Sequence, residues 1–118
     1  MRRDPRLVPL SREHHAALRL GRALIAGTGG ELLVQMRAEL RAHFDEEERD
    51  LLPVLREAGE AALVARLLDE HRMLERLFDD AQAGRRSAEA GEALIAHVRF
   101  EERELFPVFE AQLDPLPA

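Results

Sequence analysis

The sequence predicts an all-α protein, an up-down-up-down antiparallel four-helix bundle, and three observations predict it. Ala, Leu, Glu and Arg, all good helix formers, dominate between the breakers. Most of the seven glycines and six prolines fall where elements should begin or end. Apolar residues recur at helical spacing through four long segments, and the connections between them are short, which makes sequential helices antiparallel neighbours. A chain of 118 residues is one domain, expected to span 1–118 with its core from about 10 to 110.

The elements follow in order. After an extended lead from Pro5 to Pro9, Ser11 is a plausible N-cap for a first helix running to about Ala26. Gly27, Gly29 and Gly30 break the chain. The second helix starts near Glu31 and carries Leu33, Met36, Leu40, His43, Glu47, Leu51 and Val54 along one stripe, with Pro53 kinking it near its end. Gly59 marks the next break. A third helix, from about Glu60 to Ala83, places Val64, Leu67, His71, Leu74 and Phe78 on one face. Gly84 ends it, and Ser87 caps a fourth that carries Ala90, Leu94, His97, Glu101 and Leu105, again with a proline, Pro107, near its close.

Composition excludes several classes of function. With no cysteine, disulfides, thiolate metal sites and redox thiols are absent. With no Tyr or Trp, there is no tyrosyl radical and no large aromatic stacking platform. A net charge of −6 argues against nucleic acid as a partner, because phosphate binding needs a basic surface. No run is long enough to span a bilayer and the charged start has no apolar stretch behind it, so the expectation is a cytoplasmic protein. No phosphate-binding glycine loop is found, and Gly27-Thr28-Gly29-Gly30 reads as a turn.

One segment occurs twice. The pattern H-x-x-x-E-E-R-[D/E]-L-[L/F]-P-V runs from His43 to Val54 and again from His97 to Val108. On a helix, residues i and i+4 share a face, so each copy directs an imidazole and a carboxylate to the same spot. His14 lies 12 residues before Ala26, His43 12 after Glu31, His71 12 before Ala83 and His97 10 after Ser87. At about 1.5 Å per residue these offsets agree to within roughly 3 Å, so all four histidines reach one layer of the bundle. Glu13-His14 is matched by Glu70-His71, which makes the chain a duplicated hairpin about a pseudo-twofold axis. Buried Glu47 and Glu101 would cost several kcal/mol and repel each other without a cation. Two bridging carboxylates with imidazole end ligands describe a dinuclear centre, and N/O donors without thiolate suit iron or manganese better than zinc. Ferritin-like proteins carry Glu-x-x-His, which does not occur here.

These motifs give the chain, from about Leu10 to Phe109, a resemblance to the hemerythrin-like (HHE cation-binding) domains. The resemblance implies one iron on His14 and His43, a second on His71 and His97, and Glu47 and Glu101 bridging them. The pair would be two iron ions, Fe2+ or Fe3+, bridged also by oxo or hydroxo. Helical faces favour His14 over the adjacent His15 as the first-helix donor, with His15 a half-exposed neighbour near the site mouth. Two departures from the oxygen carriers stand out. Glu75 occupies the position of a carrier histidine one turn after His71, and the last carboxylate is Glu101 at four residues from His97, not an aspartate at five. Glu75 is then either a terminal ligand, making the two irons unequal, or a salt-bridge partner. The remaining acids, including Glu48 and Glu102, read as a solvated face paired with Arg49 and Arg103.

The function implied is binding of O2 or a related small molecule for sensing, storage or scavenging, in preference to an enzyme. The alternatives are a di-iron enzyme acting on peroxide or O2, and an iron-responsive regulatory module. The expected partner is O2 or peroxide, with no nucleic acid and no membrane; oligomeric state has no signature in the sequence.

Overall fold

Among the described residues six α-helices follow one another: α1 (Val8–Ile25), α2 (Gly30–Asp50), α3 (Leu52–Glu57), α4 (Ala61–Gln82), α5 (Ser87–Phe100) and, after a π-helical turn (Glu101–Leu105), α6 (Phe106–Ala111). The computed structural model describes residues 3–113, and no strand occurs among them. The ends of the expected 1–118 domain, residues 1–2 and 114–118, lie outside the described residues.

The expected helix boundaries shift for local reasons. Helix α1 begins at Val8 with Pro9 in its first turn, where a missing N–H costs nothing. Ser11 is therefore inside the helix, and its hydroxyl donates to Glu102 at 2.8 Å instead of capping. Ser87 is the first residue of α5, not its cap; Arg86 holds that position at φ 55°, and the Ser87 hydroxyl donates to the Leu24 carbonyl. Pro53 ends α2 outright, and the chain restarts as α3 with Pro53 in its first turn. At the matching place in the second copy, the helix widens into the π turn before Pro107.

Helix α1 packs on α5 and α2, and α4 packs on α2 and α5, an arrangement compatible with a four-helix bundle. The α1–α5 approach is the closest because Gly21 and Gly91 face each other across it. A Cβ added at Gly91 would lie 2.4 Å from the Gly21 carbonyl oxygen and 2.9 Å from a side-chain carbon of Ile25.

The apolar interior is divided in two. One cluster includes Leu20, Leu24, Leu33, Leu74, Phe78 and Leu94; the other includes Leu10, Leu55, Leu67, Phe100, Leu105 and Phe106. Each long helix passes from one cluster to the other through a buried polar position: His14, His43 with Glu47, His71, and His97 with Glu101. No helix among the described residues is long and apolar enough to cross a membrane.

Gly91→Ala should force α1 and α5 apart and destabilise the protein by about 1–3 kcal/mol, as overpacking does. Thermal denaturation followed by circular dichroism checks this, and an unchanged melting temperature would contradict the close approach.

Candidate metal centre

Four imidazoles and two carboxylates meet in the polar layer, and none of the six is more than 5 % exposed. His14, His43, Glu47 and Glu101 form one group, and Glu47, His71, His97 and Glu101 a second. Within each group one donor atom per residue lies within 4.8 Å of all the others. Both carboxylates belong to both groups. Glu47 reaches His43 Nε2 with one oxygen (3.3 Å) and His71 Nε2 with the other (3.1 Å). Glu101 Oε1 lies 2.9 Å from His97 Nε2 and 3.2 Å from His14 Nε2. Of the adjacent histidines on α1, His14 is in the layer and His15 is exposed.

Each imidazole is also held from outside. Nδ1 of His14 meets Glu102 at 2.6 Å, that of His43 meets Glu13 at 3.1 Å, that of His71 meets Glu48 at 2.7 Å and that of His97 meets Glu70 at 2.7 Å. An ionised carboxylate only accepts, so each Nδ1 carries the proton. The set obeys the sequence duplication. Glu13 and Glu70, which precede His14 and His71, each serve the next long helix, α2 and α5. Glu48 and Glu102, which follow the inner carboxylates, serve α4 and α1.

Glu48 and Glu102 are thus not the solvated pair expected from the sequence. Arg49 instead lies against its neighbour Asp50 at 2.9 Å, leaving Glu48 free to turn inward. The signal was present as the E-E doublet in both copies of the repeat.

Every ring therefore lies between an outer and an inner carboxylate, and a neutral imidazole has one proton to offer. With that proton directed outward, the Nε2 lone pair faces an inner oxygen lone pair. Nε2 of His14, His43 and His97, Oε2 of Glu47 and both oxygens of Glu101 are buried without a hydrogen-bond partner. Second protons could fill some of these gaps. Burial pulls His43 down, but the carboxylates of Glu47 and Glu13 on either side of the ring outweigh it and leave its pKa raised. Burial prevails at His14 and His97 and lowers both below 6.5, against the pull of nearby carboxylates. Burial also raises Glu47, yet the imidazoles of His43 and His71 beside its two oxygens outweigh this and hold it at about 2. The layer thus keeps an ionised acid and inward lone pairs, the chemistry of a cation site.

Glu75 lies outside both groups. Its Oε2 accepts from Arg41 at 2.9 Å and from Arg37 at 3.2 Å, and Arg37 is fixed further by Asp79 and Gln82. Two guanidinium groups on α2 draw this carboxylate away, the salt-bridge alternative; its Oε1 stays buried without a partner. The two groups therefore offer equal donor sets, in contrast to the inequality a Glu75 ligand would create.

A cavity of about 70 Å³ adjoins the layer, lined by His14, His43, His97 and Glu101. Ala16, Ala17, Met36, Leu40, Phe44, Leu94 and Val98 form its apolar wall, and the exposed Glu13 and Glu39 also line it. At roughly 10–15 Å³ of such space per water molecule, it has room for a few water-sized molecules. Phe44 stacks on the His71 ring at 4.2 Å and meets His97 edge-on, which closes the layer beside this cavity.

Residues 7–109 match the family model of the hemerythrin HHE cation-binding domain. No curated protein and no solved structure matches the chain.

A carboxyl lowered on folding contributes stability that is full above its unfolded pKa and is lost as pH falls through the folded one. In metal-free protein, the stability advantage of wild type over Glu47→Gln should shrink as pH falls from 4.5 toward 2. Denaturant unfolding across that range measures it; a gap that stays constant with pH would contradict the depressed carboxyl.

Proposed function

We propose, for a chain that belongs to the hemerythrin HHE cation-binding family, that it is a non-haem di-iron protein that binds O2 or a related small molecule for sensing, storage or scavenging. The observation that carries this reading is the sharing of Glu47 and Glu101 between two groups of buried donors. In it, His14 and His43 would hold one ion and His71 and His97 the other, with Glu47 and Glu101 available to both. Nitrogen and oxygen donors without thiolate suit iron or manganese. When bound, such a pair supplies electrons to, and takes them back from, a small ligand. The reading also takes 1–118 as one domain in up-down-up-down order, supported by the short connections and the meeting of the four histidines in one layer.

The chain's own residues set what can react. The outer carboxylates fix each ring and raise its basicity as a donor, a role whose removal typically costs 10- to 100-fold in metal affinity. The apolar lining of the cavity suits a small uncharged molecule. Glu75 stays with Arg37 and Arg41 in this reading. The alternative of an enzyme consuming peroxide or O2 drew on Glu75 as a ligand, so binding takes precedence over turnover.

Protein loaded with ferrous iron without oxygen and then exposed to O2 should develop near-ultraviolet and visible charge-transfer absorption. A spectrum that oxygen leaves unchanged would contradict the reading. Glu48→Ala should weaken iron binding at least tenfold while leaving the helical signal intact, since Glu48 touches the centre only through His71. An iron titration followed by circular dichroism checks both parts.

A further inference from the structure

The second copy of the repeat departs from the first just after its inner carboxylate, and the departure leaves a carbonyl without a helical partner. Within the π turn, the N–H of Phe106 goes to the carbonyl of Glu101. Five residues beyond Glu102 stands Pro107, which has no N–H to give. The Glu102 carbonyl therefore has neither an α nor a π donor. Arg3, from the segment before α1, supplies one: its Nη2 lies 2.9 Å from that carbonyl oxygen and 3.1 Å from Glu102 Oε1. The other carboxylate oxygen of Glu102 takes the His14 Nδ1 proton and the Ser11 hydroxyl.

Arg3 is itself anchored. Its Nη1 donates to Glu110 on α6 at 2.5 Å, and the backbone N–H of Asp4 donates to the second oxygen of the same carboxylate. Its guanidinium also covers the Phe106 ring at 5.2 Å, and that ring stacks on His14 at 5.6 Å and 12°. A bond through Glu102 and a stack through Phe106 thus both end on the His14 imidazole. In the other half the equivalent carboxylate, Glu48, meets His71 Nδ1 at 2.7 Å.

We propose that Arg3 is a positioning residue of the metal centre. By closing the Glu102 carbonyl and holding its carboxylate, it fixes the turn from which Glu101 enters the centre and the bond that orients His14. The planar fork suits this task, since one guanidinium reaches a carbonyl and two carboxylates at once; an ammonium is a point charge. The proposal rests on the metal reading above, extending it to a segment outside the helices.

The test is a titration with cobalt(II) alone, read by calorimetry and by the visible bands of the bound ion, on wild type, Arg3→Ala and Arg3→Lys. Arg3→Ala should bind about tenfold more weakly, with shifted bands, and Arg3→Lys should recover only part of the loss. Glu110→Ala, which removes an anchor of Arg3 without touching Glu102, should shift both in the same direction and serves if Arg3→Ala fails to fold. A fall in metal-free melting temperature with unchanged cobalt affinity and bands would mark a purely structural strap and overturn the proposal. Wild type that binds cobalt as tightly as Arg3→Ala would overturn it too, leaving the metal reading intact. Wild type that takes up no ion would overturn the metal reading, and this proposal with it.

Discussion

Four buried imidazoles, each caught between an outer and an inner carboxylate, make the demand around which the rest of the molecule is arranged. One proton per neutral ring cannot serve two acceptors. The outer bonds are short, 2.6 to 3.1 Å, and they leave the inner nitrogens facing oxygens at 2.9 to 3.3 Å. In a low-dielectric interior such an arrangement costs several kcal/mol unless positive charge enters it. Protons answer the demand in part, through His43, and burial works against that answer at His14 and His97. Two cations, as proposed, would answer it, each taking the inward lone pairs of two imidazoles and lone pairs of the carboxylates between them.

The fold makes this demand bearable by placing apolar packing on both sides. One cluster reaches from Leu20 to Phe78 and the other from Leu10 to Phe106, so hydrophobic burial on either side holds the helices in register against the repulsion between them. The glycines at the α1–α5 crossing, Gly21 and Gly91, bring together the backbones of the two helices that carry His14 and His97. The apolar cavity beside His14, His43 and His97 has a lining of Ala, Leu, Met and Val that favours an uncharged small molecule.

The parts of this arrangement that follow helical periodicity were legible in the sequence. His43 and Glu47 are one turn apart whatever packs on them, and so are His97 and Glu101; the apolar stripes gave the four helices for the same reason. Helix starts were less legible, because Ser11 and Ser87 have the chemistry of caps but found tertiary partners in Glu102 and Leu24. The outer carboxylates escaped because adjacent residues on a helix point about 100° apart. Glu48 and Glu102 look solvent-facing until the neighbouring helix brings His71 and His14 to them. Glu75 is the reverse case: its position suggests the centre, and only the packing of α2 against α4 shows that Arg37 and Arg41 reach it first.

If the inward lone pairs are the reason these six residues are buried together, the ions that satisfy them should be countable. Anaerobic titration of metal-free protein with iron(II), followed by metal analysis of the separated protein, measures this most directly. The account predicts saturation at two ions per chain with a higher melting temperature in the loaded form. Saturation at one ion, or no uptake, would contradict it.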